Sequence, residues 1–235
     1  WSGFPGVYAA VSSTMYIPLM LVALGIIARG ASFAFRKAST ELGARRMYGA
    51  AFAFSSVLTP FFLGTVAGGI ASGRVPPGIA RGDLVTSWVN PTSVLAGVLA
   101  VGTTAYLAAV YLCGDAQREE QAEVAEAFRR KAITTGVLTG IVVFAGIAVL
   151  ALDAPALYRG LVGPVLPLVL LSAVAGLTSM ALLLLRYFRS ARVAAAIAVA
   201  TLPWGWAVAQ YPLILVPHTT IEGAAAQPSV LTAVL

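Results

Sequence analysis

Read for polarity, the chain alternates long uncharged blocks with short clusters of charge. No Asp, Glu, Lys or Arg occurs in residues 1–28, 47–73, 84–114, 132–152, 160–185 or 193–221. The shortest of these blocks has 21 residues, and about 20 apolar residues in helical form cross the hydrocarbon core of a bilayer. Water cannot serve the backbone there, so a spanning segment is a helix or part of a closed barrel. Barrel strands show about 10 residues of alternating polarity. The blocks here are longer and apolar on every side, as in "AITTGVLTGIVVFAGIAVLAL" (132–152). The pattern predicts an all-α polytopic helix bundle with six transmembrane helices, roughly 8–29, 47–72, 91–113, 128–151, 163–187 and 191–210. Prolines mark several predicted ends, among them Pro91, Pro155, Pro164 and Pro212, while Pro18 and Pro60 fall inside apolar runs. Membrane helices tolerate such interior prolines better than soluble ones do.

Composition excludes the soluble alternative. Hydrophobic residues make up 59% of the chain and charged residues 10%, against the roughly 25% charged residues that solvate an ordinary globular surface. The outer face of this fold therefore meets lipid. A secretory signal is not expected at the start, because no basic segment precedes the first apolar run. The single cysteine, Cys113, rules out an internal disulfide and reads as a small apolar residue at a helix end.

The charge clusters set an orientation. Lys and Arg number five in 29–46, two in 74–83, four in 115–131, one in 153–159 and three in 186–192. The first, third and fifth groups hold 12 of the 15, and cytoplasmic loops are the ones enriched in Lys and Arg. Segments 29–46, 115–131 and 186–192 are thus expected inside. The net charge of +6 reads as this topogenic signal. Nucleic acid is not an expected partner, since the cations are spread over loops instead of along one face. The segment "DAQREEQAEVAEAFRRK" (115–131) reads as a helical extension of the fourth span, with Glu126 spaced to pair with Arg129 and Arg130.

Candidate chemistry is sparse. Haem is held by axial His, Met, Cys or Tyr, and one histidine, His218, cannot make a bis-histidine site. Met15, Met20, Met47 and Met180 have no histidine at helical spacing and read as core filling. Clusters of Cys, His and carboxylates suited to a metal are absent, as are a glycine-rich phosphate loop and a serine–histidine–acid set. Catalytic residues and metal ligands are therefore not assigned. Hydroxyl pairs such as Thr134 and Thr135 either line a proton path or bond the preceding turn, and the second reading is preferred. Gly64 with Gly68, Gly69 with Gly73, and Gly136 with Gly140 form small-xxx-small pairs that let helices approach closely. Trp88, Trp204, Trp206 and Tyr211 fall at outer-leaflet depths, where aromatic belts sit.

Several stretches in order resemble subunit II of the cytochrome bd-type quinol oxidases. They are "FPGVYAAVSSTMYIPLMLVALGIIARGASFAFR" (4–36), "FAFSSVLTPFFLGTVAGGIASG" (52–73), "WVNPTSVLAGVLAVGTTAYL" (88–107) and "WAVAQYPLILVPHTTIEGAAAQPSVL" (206–231). The resemblance implies a nine-helix subunit of which this chain is a single transmembrane domain carrying six, lacking two helices at the start and one at the end. Residues 1–72 would belong to a first four-helix bundle, 91–210 to a second, and 211–235 to an outer segment leading to a last helix. It further implies a haem-binding oxidase subunit I as partner, in a bacterial cytoplasmic membrane. That subunit would carry the haems, with quinol and dioxygen reacting there, and no cofactor on this chain. A quinone or a lipid between its helices stays open. Arg29, Arg36, Trp88, Asn90, Pro91, Trp204, Tyr211, Pro212, His218 and Glu222 are the candidate structural or interface residues. His218 and Glu222 are read as interfacial, facing subunit I or solvent. Two departures stand out: Ala34 occupies the place of an acid between Phe33 and Phe35, and Thr92 replaces the aromatic after Asn-Pro. The first puts in doubt any proton role for that corner. The runner-up reading is a multi-pass secondary transporter, whose broken mid-span helices and repeat symmetry are not visible here. A third is an assembly scaffold with no part in proton or quinone handling.

Overall fold

A computed structural model describes residues 2–217 and 219–234. Six of its helices are long and apolar enough to cross a membrane. In chain order the elements are α1 (Pro5–Thr14), α2 (Tyr16–Ala38), α3 (Leu42–Ala71), α4 (Pro91–Arg118), α5 (Ala122–Asp153), α6 (Pro155–Val162), α7 (Leu166–Leu184) and α8 (Phe188–Gln210). Two short strands, β1 (Leu213–Leu215) and β2 (Thr219–Thr220), and two short helices, α9 (Ile221–Ala224) and α10 (Pro228–Val234), follow. The spans are α2, α3, α4, α5, α7 and α8.

The first predicted helix, 8–29, is instead two helices meeting at Met15 (φ −102°, ψ 21°). Pro18 explains the break. A proline inside a helix removes its own donor and clashes with the carbonyl of the residue four before it, and here that residue is Thr14, the last of α1. Pro60 sits inside α3 and Pro203 inside α8 without ending either. The predicted helix 163–187 starts later, at Leu166, behind the separate short α6. α2 also runs further into its polar end than the apolar pattern predicts, to Ala38, and the helical extension expected over 115–131 is divided, α4 ending at Arg118 and α5 starting at Ala122. Charged residues in a terminal turn face headgroups and water, so hydropathy sees the oily part of a helix and not its full length. The outer segment after α8 forms a small antiparallel hairpin with Leu213 opposite Thr220 and Leu215 opposite Thr219. The Tyr211–Pro212 and Val216–Pro217 peptide bonds are cis.

The chain divides into two compact units, Trp1–Val101 with Leu213–Leu235, and Gly102–Pro212. In the first, Ala10, Met15, Val66, Val75 and Leu215 form the core. A close backbone seam lies between α3 and the start of α4. A Cβ on Gly64 would lie 2.5 Å from the Ala96 carbonyl oxygen and 2.7 Å from Gly97 Cα, and one on Gly68 2.6 Å from Ser93 Cα. Backbones approach this closely only where both surfaces carry small residues. In the second unit, Tyr106, Val110, Cys113, Ala132, Leu183, Ala191 and Ala195 make the core. Alanines are frequent in the second core, where close packing between helices in lipid replaces the hydrophobic drive, while the first is built mainly on Met15, Val66, Val75 and Leu215.

Candidate functional site

In the first unit, the polar groups gather at the end where α1 stops and α4 begins. Asn90 precedes Pro91, the first residue of α4, in the arrangement that starts a helix with a side-chain cap and a proline whose missing donor costs nothing. The Asn90 Oδ1 accepts from the Ser93 amide at 2.9 Å. Its Nδ2 donates to the carbonyls of Thr86 at 3.2 Å and Ser87 at 3.0 Å. One buried side chain thus ties the loop before α4 to the helix itself. Trp88 is half-buried, donating from Nε1 to the Leu84 carbonyl at 2.9 Å and standing edge-on to Phe62 at 5.8 Å. Ser87 donates to the Arg74 carbonyl at 3.0 Å. The Ser13 hydroxyl, at the end of α1, accepts from the Ala80 amide at 2.8 Å. The Asp83 carboxylate accepts from the amides of Val85 at 2.9 Å and Thr86 at 2.6 Å, which holds its pKa below the usual carboxylate value.

At the opposite end of α2 and α3, the Arg29 guanidinium lies over the Phe52 ring at 5.3 Å and Phe35 stacks on Tyr48 at 5.8 Å. Arg36 is exposed. Arg29 and Arg36 therefore share the α2–α3 tip, whereas Trp88, Asn90 and Pro91 belong to the other end of this unit. Trp204 and Tyr211 are exposed, at 67% and 72%, as suits side chains facing lipid or an interface. Glu222, in the first turn of α9, is exposed as well. Pro212 follows the last residue of the α8 cap, Tyr211. His218 lies outside the described residues.

The second unit carries two ionic clusters that reach across helices. Glu126 receives Arg129 at 3.0 Å, Arg130 at 3.6 Å and Arg186 at 3.2 Å. Arg129 also reaches the Leu183 carbonyl near the end of α7, at 3.5 Å. Asp115 on α4 pairs with Arg192 on α8 at 2.5 Å, and the same Arg192 donates to the Tyr111 carbonyl and covers the Tyr111 ring. Deeper, Tyr106 donates to the Ser179 hydroxyl at 2.7 Å, which donates to the Ala191 carbonyl at 2.9 Å. The Glu126 pairs with Arg129 and Arg130 follow from i,i+3 and i,i+4 spacing. The Asp115–Arg192 and Tyr106–Ser179 contacts join residues more than 70 positions apart, and no local signal marks them.

These groups latch helices together and offer no acid–base pair or ligand set. Thr135 donates back to the carbonyls of Lys131 and Ala132 at 2.8 and 3.2 Å, and Ser55 and Ser56 do the same to Phe52 at 3.0 and 2.7 Å. Such hydroxyls serve their own helix. Among the described residues no three of His, Cys, Asp and Glu come together as a metal site would need.

Six spanning helices, lipid-facing apolar surfaces and ionic latches at the helix ends define a multi-pass α-helical membrane protein. The chain belongs to the cytochrome bd terminal oxidase subunit II family, whose model matches residues 1–235. Its fold is similar to a chain in the structure of bd oxidase from Geobacillus thermodenitrificans, with a TM-score of 0.72, at 22% sequence identity over 98% of this chain and 70% of that one. No curated protein matches the chain.

Proposed function

We propose that this chain is the haem-free membrane subunit of a bd-type terminal oxidase. In this reading it supports a haem-bearing subunit I as the complex couples quinol oxidation to reduction of dioxygen to water. The observation that carries the reading is the match of the whole chain to the subunit II family. Three of the described donors bear on the haem-free part. Met15 is closed into the first unit's core against Gly69, Cys113 is buried with its thiol donating to the Ala125 carbonyl at 3.3 Å, and the Tyr106 hydroxyl is engaged by Ser179. None is free to serve as an axial ligand. The family match implies a bacterial cytoplasmic membrane, and the Lys and Arg bias supports an orientation with 29–46, 115–131 and 186–192 on the cytoplasmic side. The oxidase complex, purified from the membrane and then separated into its subunits, tests this. Haem absorbance and the haem itself are expected to stay entirely with the companion. Haem retained by this chain, or quinol oxidase activity from this chain alone, overturns the reading.

A further inference from the structure

The α2–α3 tip carries the largest excess of cations over acids among the charged ends of the chain. Between 29 and 46 stand five Lys and Arg and a single acid, Glu41. In the second unit Arg129, Arg186 and Arg192, at helix ends, are drawn onto Glu126 and Asp115. Here no described carboxylate lies within ion-pair distance of Arg29, Arg36, Lys37 or Arg46. Apolar side chains are interleaved with them in the open, with Phe33 68% and Leu42 66% exposed. Cations without counter-ions beside exposed apolar side chains fit neither bulk water nor bare hydrocarbon. They fit the headgroup layer, where the ring or leucine enters the acyl region and the cation meets phosphate.

Depth sharpens this. α2 and α3 run antiparallel, with Phe35 level with Tyr48 and Arg29 level with Phe52. Six residues of helical rise place Arg29 about 9 Å further toward the bilayer centre than Arg46. A cation at that depth draws an anion to it or is costly to keep there, and the Phe52 face supplies only part of the compensation. We infer that the α2–α3 tip is a binding site for anionic phospholipid, with Arg36, Lys37 and Arg46 meeting headgroups at the surface and Arg29 holding a phosphate at the depth of Phe52. The inference requires the membrane-spanning hairpin and not the oxidase reading.

The test uses the complex as purified, placed in nanodiscs of phosphatidylcholine alone or of an equal mixture with phosphatidylglycerol. Lipid retained on this chain is read by native mass spectrometry. Phosphatidylglycerol should be retained over phosphatidylcholine, and less so as salt rises. The R36Q/K37Q/R46Q variant should lose retention about fivefold for each cation removed. R36K/R46K, which keeps the charges, should retain it, and R29Q should weaken binding without abolishing it. R81Q, which removes a cation beyond the other end of the hairpin, should leave it unchanged. Equal retention of the two lipids by the unaltered chain overturns the inference. So does unchanged phosphatidylglycerol retention with loss of the companion subunit in R36Q/K37Q/R46Q, which would make the tip a protein-docking surface.

Discussion

Asn90 illustrates how much a single amide does in a chain this apolar. Its three hydrogen bonds cap α4 and hold the preceding loop, and the residue is 8% exposed. Asn90→Ala removes the cap and leaves the Thr86 carbonyl and the buried Ser87 carbonyl with one partner fewer, so a loss of about 1–2 kcal/mol is expected. Thermal unfolding of the complex in detergent measures it, and Asn90→Asp, which keeps the acceptor, should recover part of the loss. Asp83, fully exposed, behaves differently. Its carboxyl is held below the ordinary value by two amides, so the charged form favours the fold. That contribution is complete above the unfolded value of about 4 and is lost as pH falls through the lower folded value. The melting temperature of the unaltered protein and of Asp83→Asn should therefore differ by the same amount from pH 5 to 8 and converge only below about pH 4.

At the scale of elements, the turn between α7 and α8 sets two effects against each other. Arg186 occupies φ +64°, a left-handed conformation. The Tyr187 amide bonds back to the Leu182 carbonyl at 2.8 Å, closing the helix end in the manner usually left to glycine. Holding a side chain there costs about 1 kcal/mol. Its ion pair with Glu126 is 66% exposed on the arginine side, and an exposed pair contributes about 0–1 kcal/mol. The backbone effect wins or draws. Arg186→Gly should leave the melting temperature unchanged or raise it, whereas Arg186→Ala, which loses the pair and keeps the strain, should lower it. The α3–α4 seam gives a sharper contrast. Gly64→Ala would press a methyl into backbone on the facing helix and should cost about 1–3 kcal/mol, while Gly140→Ala, with nothing within 4 Å, should be neutral in the same assay. What the sequence made legible at this scale follows from hydropathy. Uncharged blocks reveal that a helix crosses, and proline reveals a break only when its reach back to the fourth preceding carbonyl is considered, as Pro18 shows at Thr14. The Gly64–Gly68 pair announced a close contact, but no local pattern named Ala96 and Ser93 as what it would meet. Among candidate site residues, Asn90 and Pro91 stand where an Asn-Pro start requires. Arg192 was hidden because its carboxylate partner sits on another helix.

For the whole molecule, the surface explains why the chain needs lipid or a companion polypeptide around it. Large side chains such as Phe144, Leu152 and Leu177 are 76%, 87% and 72% exposed, and patches of that kind in water would aggregate. Polar attachments concentrate at the ends of spans, so extraction conditions should act there first. Raising salt screens exposed ion pairs much more than buried hydrogen bonds. The hydrogen-bonded loop before α4 should therefore resist salt that loosens the Glu126 cluster, a difference that amide exchange at Glu126 and at Ser93 would report.

The seam between α3 and α4 has a consequence for traffic. A file of water needs a lumen at least one molecule wide along its length, and at Gly64 and Gly68 the two backbones leave less than a methyl group of clearance. Protons hopping along water, or dissolved gas diffusing through, find that crevice shut. Any permeation route through the first unit must run along a different helix face, leaving this joint as an impermeable weld.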